Sequence, residues 1–152
     1  MEDRTFLMGK YPAVLPGGLR YAPRNHMWCR PEGDRLRFGF TSYAIRLMKD
    51  VYFLDWNVSD GDAVKELQPI GHIETSKAVS DLFAPLTGTI VEFNRALLDD
   101  PSAINVDGYS AGWLFEMRGD GELLDVGAYY QYLADNWEKT QRLIKGKINT
   151  ED

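Results

Sequence analysis

From residue 36 onward the chain alternates. Leu36, Phe38 and Phe40 are apolar, while Arg35, Arg37 and Gly39 between them are not, the period of two expected of a half-buried strand. Thr41 then stands where a helix N-cap belongs, with Tyr43, Ala44 and Leu47 on the inner side of a short helix running to Met48. Residues 51–56 are rich in β-branched and aromatic types and predict a second strand. The run Ser59-Asp60-Gly61-Asp62 is a turn by composition. Residues 69–74, 79–84, 89–93 and 112–117 predict further short strands, with Thr75-Ser76-Lys77-Ala78 and Pro85-Leu86-Thr87-Gly88 as connections. Short strands at this spacing point to an antiparallel sandwich or partly closed barrel rather than βαβ units. After Gly127, Tyr130, Leu133, Trp137 and Ile144 recur at spacings of three, four and seven. They mark one face of a helix, or of two helices with a break near Asn136. The expected fold is mainly β with helical trim.

Residues 1–20 carry Pro12, Pro16, Gly17 and Gly18 and only a short apolar patch at Val14-Leu15, which reads as an arm that packs on the surface or frays. The expected organisation is this arm, one domain over 21–135, and a helical tail over 136–152. At 152 residues the length suits one domain that needs no disulfide or metal staple. Seventeen basic against twenty-three acidic residues leave a net charge of -6. That disfavours nucleic acid and anionic membranes as partners, since both select basic surfaces. Cys29 is the single cysteine, and His26 and His72 are the only histidines. An internal disulfide is excluded, and a zinc centre has little material. Glu2 and Asp3 stand where a targeting peptide needs positive charge, and no run of eighteen apolar residues occurs. A cytoplasmic location is the expectation.

Lys77 is a lone lysine at the centre of a polar segment between two predicted strands. A hairpin tip holds such a side chain clear of the body. That geometry suits an enzyme that must reach the amine, and equally an arm that must sweep between partner sites. By position alone it is also an ordinary solvated turn lysine. Glu74 stands three residues before it and Gly88 eleven after, with Ala84-Pro85 between, an order that resembles lipoyl-bearing hairpins. Further pieces follow in sequence: Tyr21-Ala22-Pro23, His26-Met27-Trp28, Gly39-Phe40-Thr41, Asp99-Asp100-Pro101, Ile104-Asn105 and Gly112-Trp113-Leu114-Phe115. Over roughly residues 19–135 the chain thereby resembles the H protein of the glycine cleavage system.

That resemblance implies a lipoyl-domain-like (hammerhead) β sandwich-barrel with short helices and a C-terminal helical segment. It implies lipoate in amide linkage to Lys77, with Glu74, Asp81 and Gly88 recognised by the lipoylating enzyme. The chain would then be a carrier without turnover of its own. It would shuttle the aminomethyl intermediate among a pyridoxal-phosphate glycine decarboxylase, a folate-dependent aminomethyltransferase and a dihydrolipoyl dehydrogenase. The strained, exposed dithiolane is an exchange-competent disulfide, the hard chemistry belongs to cofactors and partners, and the tether contributes effective concentration. A biotin carrier shares the architecture, but its hairpin usually flanks the lysine with methionines; here the flanks are Ser76 and Ala78.

The chain departs from the family at Met27, where a glutamate usually helps hold the cationic aminomethyl group. It departs also at Ser42-Tyr43, at Leu47 and at Leu54-Asp55-Trp56-Asn57. An ammonium out of water needs a paired carboxylate or good acceptors, and Met27 offers neither. An alternative is therefore an H-like lipoate carrier for another cargo, such as heterodisulfide-reductase-type sulfur oxidation. Another is an unmodified docking module presenting Tyr129, Tyr130, Tyr132 and Trp137. His72, five residues before Lys77, reads as a locally bonded strand histidine or a proton relay beside the arm. His26 and Trp28 read as sheet-packing residues and Cys29 as a small buried hydrophobe. Asp81, Asp99, Asp100 and Asp107 read as solvated loop charges or as an acidic recognition face. Lys77 as a Schiff-base nucleophile is disfavoured, because a polar tip supplies neither burial nor a neighbouring cation.

Overall fold

The computed structural model describes residues 1–151, and the side chains of residues 1–143. Strands β1 (Arg4–Met8), β2 (Tyr11–Leu15), β3 (Arg20–Ala22), β4 (Met27–Glu32) and β5 (Arg35–Phe40) come first, followed by helix α1 (Ser42–Met48). Then come β6 (Val51–Trp56), β7 (Ala63–Val64), β8 (Pro69–Thr75), β9 (Val79–Phe83) and β10 (Thr87–Phe93). Short helices α2 (Ala96–Asp99) and α3 (Ala103–Val106), strand β11 (Phe115–Asp120) and the long helix α4 (Val126–Glu151) complete the order. The strands form a six-stranded sheet β3-β4-β5-β11-β10-β7, a three-stranded sheet β6-β8-β9 and the two-stranded hairpin β1-β2. All pairings are antiparallel.

Two apolar cores explain the layers. The first joins the two larger sheets through Phe38, Phe115, Met117 and Ile90 from one and Leu54, Ile70, Ile73 and Leu82 from the other. The second gathers Phe6, Leu15, Tyr21, Trp28, Tyr43, Tyr129 and Leu133 from the hairpin, the far side of the large sheet, α1 and α4. Strand β4 is buried on both faces: Met27 and Cys29 join the first core and Trp28 the second. Gly39 on β5, paired with Trp28 of β4, leaves the space the indole fills; a β-carbon there would overlap the ring.

The expected strands at 36–40, 51–56, 69–74, 79–84 and 89–93 appear as β5, β6, β8, β9 and β10 with small shifts at their ends. Thr41 caps α1, its hydroxyl accepting the Ala44 N–H at 3.3 Å. The strand expected at 112–117 is displaced to β11. The Asn94 side-chain amide donates to the carbonyls of Ala111 and Trp113, holding that stretch as a turn. The chain start does not fray: residues 4–15 pair as a hairpin whose Phe6, Met8, Ala13 and Leu15 are buried. Helix α4 runs unbroken past Asn136, whose side-chain amide donates to Tyr132 O at 2.8 Å within the same helix. Ile144, expected on the apolar face of that helix, has a side chain outside the described residues, as has Asp152 altogether. Among the described residues no helix is long and apolar enough to cross a membrane.

Candidate functional site

Strands β8 and β9 form a hairpin whose connection, Ser76-Lys77-Ala78, is exposed. The Thr75 side chain organises the tip. Its Oγ1 accepts the N–H groups of Lys77 at 3.1 Å and Ala78 at 3.3 Å, and the Thr75 N–H donates to Ala78 O at 2.9 Å. The Ser76 N–H donates to Asp50 O at 3.0 Å, tying the tip to the start of β6. The backbone of Lys77 is therefore fixed while its side chain is left to solvent. Among the described residues its ammonium makes no hydrogen bond or ion pair.

Glu74 lies on the same hairpin, half-buried and paired across to Val79; Asp81 pairs with His72 two rows further from the tip. Gly88 is elsewhere, on β10 in the large sheet. A β-carbon there would overlap the carbonyl of Arg118 on β11, so close strand approach explains that glycine. His72 is half-buried, with its ring 5.5 Å from that of Phe53. Three residues of strand and Ser76 of the tip stand between it and Lys77. Asp100 and Asp107 brace their own loops, accepting the N–H groups of Ser102 and Ala111.

Lys49 was not anticipated from sequence. It caps α1 with a φ of 65°, a left-handed conformation uncommon outside glycine. It precedes Asp50, whose carbonyl accepts the Ser76 N–H, so it lies beside the hairpin tip that carries Lys77. Burial, then the Arg46 and Lys77 cations, hold its ammonium below the ordinary lysine pKa. The signal available in advance was only the basic spacing Arg46-x-x-Lys49 on a helix that ends beside the hairpin.

Residues that distinguish the chain from the resembled family have definite places. Met27 is buried in the first core. Leu47 packs half-buried against the second, and Tyr43 is buried within it. None of these positions supplies a carboxylate near the hairpin. Trp56 stacks on Phe93 at 4.6 Å and its indole N–H is buried without an acceptor among the described residues. Cys29 is buried and its thiol pushed up to about 12 by desolvation, which closes it to thiol exchange near neutral pH. A cavity of about 310 Å³ opens among Pro23, Arg24, Asn25, Leu67, Pro85 and Tyr132. It lies at the foot of the hairpin, the end away from Lys77, where the Asn25 side-chain amide donates to Phe83 O at 2.9 Å.

His26 occupies the β3–β4 turn with a φ of 53°. Its Nδ1 shares a 2.8 Å hydrogen bond with the Tyr129 hydroxyl, which is 3.1 Å from Thr41 Oγ1. Burial lowers its pKa to about 4 from the ordinary 6.5. Between those values an unfolded chain takes up a proton that the folded chain refuses. The resulting stability is complete above about pH 6.5 and is lost as pH falls towards 4, to the extent of about 3 kcal/mol. Urea melts at about pH 7 and pH 4 should show this loss in the parent, with His26→Gln losing about 3 kcal/mol less.

Comparisons with known proteins bear on the whole domain. Residues 19–136 match the family model described as "Glycine cleavage H-protein". The chain is 38% identical over 128 residues to the glycine cleavage system H protein of Myxococcus xanthus, covering 80% of this chain and 97% of that one. It is 37% identical over 119 residues to the namesake protein of Thermus thermophilus, covering 75% and 92%. In three dimensions it is similar to the crystal structure of a glycine cleavage system H protein from Mycobacterium marinum. The TM-score is 0.68 at 35% identity, over 80% of this chain and 98% of that one. Residues 1–18 and 137–152 lie outside the family match.

Proposed function

Because the chain belongs to the glycine cleavage H-protein family, whose members are non-catalytic lipoyl carriers of mainly-β, hammerhead-like fold, we propose that it carries lipoate on Lys77. On this reading it shuttles the aminomethyl fragment of glycine between partner enzymes. The observation that carries the reading is the exposed ammonium of Lys77 on a backbone fixed by Thr75 and Asp50, free of any internal partner among the described residues. Those residues fit the group. An acylating enzyme meets a defined peptide geometry, and amide formation at Lys77 breaks no existing contact.

When attached, lipoate supplies an exposed disulfide able to take up and release a fragment. The protein's own residues do the rest. The Thr75 hydroxyl keeps the tip closed, and the bond from Ser76 to Asp50 stops the hairpin from swinging as a unit. Glu74 and Asp81 serve the lipoylating enzyme as recognition groups. Gly88 contributes at one remove, letting β10 lie against β11 and so fixing the return path of the hairpin. The partners on this reading are the pyridoxal-phosphate decarboxylase, the folate-dependent aminomethyltransferase and the dihydrolipoyl dehydrogenase.

One observation favours a second cargo. Met27 and Leu47 are packed into the two cores, so nothing from these positions neutralises an ammonium on a folded-back arm. A carrier serving sulfur oxidation would not need such a carboxylate. The experiment that separates the readings starts with intact-mass analysis of protein from its own host. Loading of the lipoylated chain by a glycine decarboxylase with glycine is then compared with loading of sulfur cargo. A lipoyl increment on Lys77 with efficient glycine-dependent loading supports the glycine reading. The increment without such loading favours the second, and no increment where lipoate synthesis is intact removes both.

A further inference from the structure

Two further cations stand near the hairpin tip. Lys49 lies beside it, and Arg46 is in the last turn of α1, one turn back along the chain. Both are built into place. The Arg46 guanidinium sits over the Tyr11 ring, 4.5 Å from its centroid, a cation–π contact that fixes its direction. Tyr11 belongs to the β1-β2 hairpin, which lies outside the family match. Lys49 is held at φ 65° and ψ −150°, a region of backbone space that is essentially glycine's. Asn105 of α3 locks it there: its side-chain amide donates to Lys49 O at 2.7 Å, and its Oδ1 accepts the Val51 N–H at 3.0 Å. A glycine would take up that backbone without strain, so the fold by itself gives no reason for a lysine.

Among the described residues neither cation enters an ion pair. The charges acting on the Lys49 ammonium are the Arg46 and Lys77 cations and, opposing them, the exposed Asp50 carboxylate. Acylation takes away the Lys77 charge and leaves Arg46 and Lys49 beside the root of a neutral arm. Two fixed cations at that spot discriminate by the charge at the arm's end. Resting on the reading of Lys77 above, we infer that Arg46 and Lys49 form an anion site for the sulfur end of the lipoyl arm. The pair holds the arm against α1 while a sulfur is a thiolate, and repels it when the arm bears an ammonium. Parking is thereby tied to the reduced state, and an amine-loaded arm is left free for a partner. Met27 and Leu47, packed into the cores and bringing no carboxylate to hold an ammonium, agree with that polarity.

The test uses the lipoylated full chain with its arm reduced by a phosphine. The thiol pKa is read from the pH dependence of alkylation by iodoacetamide, a neutral reagent, followed by intact mass, with free dihydrolipoamide as reference. The first thiol of the arm should titrate about half a unit to one unit below the reference, and the shift should vanish in about 1 M salt. Arg46→Gln and Lys49→Gln should each lose about half of it, and the double variant all of it. Lys49→Gly should lose as much as Lys49→Gln with thermal unfolding no lower than the parent, which separates the charge from the backbone. Lys65→Gln removes an exposed lysine near the foot of the hairpin and should match the parent. A second readout caps the reduced arm with iodoacetate or with bromoethylamine. The carboxymethyl form should melt about 1–3 °C above the aminoethyl form, and the double variant should abolish the difference. A parental thiol that titrates with free dihydrolipoamide, a shift lost equally in Lys65→Gln, or equal melting of the two capped forms overturns the inference while leaving Lys77 as the carrier lysine. A parent whose Lys77 takes no lipoate at all removes the carrier reading, and this inference with it.

Discussion

Lys77→Arg is expected to erase lipoyl attachment completely while leaving the fold untouched. The arginine keeps the positive charge and most of the reach of the lysine, but its guanidinium stays protonated and offers no amine to acylate. Stability should change by no more than about 0.5 kcal/mol, as for other surface substitutions. The side chain at 77 is exposed and internally unpartnered among the described residues, and the tip is closed by the backbone and by Thr75. Intact mass before and after exposure to a ligase, beside a thermal melt, checks both halves. A lipoyl increment surviving in the variant would put the modification at another lysine, with Lys49 beside the hairpin tip the first to examine.

Phe6→Ala should destabilise the fold strongly, by about 3–5 kcal/mol. Phe6 is 5% exposed and meets three aromatic rings edge-on: Tyr43 at 5.9 Å, Tyr130 at 5.6 Å and Trp137 at 5.7 Å. These rings come from α1 and α4, so the truncation opens a gap where three elements converge, and a gap bounded by rigid rings collapses poorly. At about 2–4 °C per kcal/mol for a chain of this size, Tm should fall by roughly 6–20 °C. Leu7→Ala, one residue along and 60% exposed, should leave Tm within about 2 °C. Equal effects of the two would mean that the hairpin does not contribute to the second core.

What could be read in advance follows how each stretch is buried. Strand β5 alternates because only one of its faces meets the first core along most of its length. The β8–β9 hairpin was legible because polar residues separate two apolar runs. Strand β4 was not, since Met27, Trp28 and Cys29 are buried in succession by two different cores, and a strand with both faces covered loses its period. The β1-β2 hairpin was masked by Pro12 and by the exposure of Leu7 and Val14. Its inward set of Phe6, Met8, Ala13 and Leu15 makes sense only with α4 against it. Of the site, Lys77 and Glu74 were visible as residues on one hairpin. The Thr75 clasp was not, because any threonine could precede a turn. Nor was Lys49, whose place depends on how the end of α1 meets the β8–β9 tip, which no local pattern encodes.

The seating of Phe6 against Trp137 also sets an order of assembly. More than a hundred residues separate the two, so during synthesis β1 leaves the ribosome long before the turn of α4 that covers it. The apolar side of the hairpin must wait, open to chaperones or to stray partners, until that turn of α4 has been made. The β8–β9 ribbon bearing Lys77 closes within a handful of residues and needs no such delay.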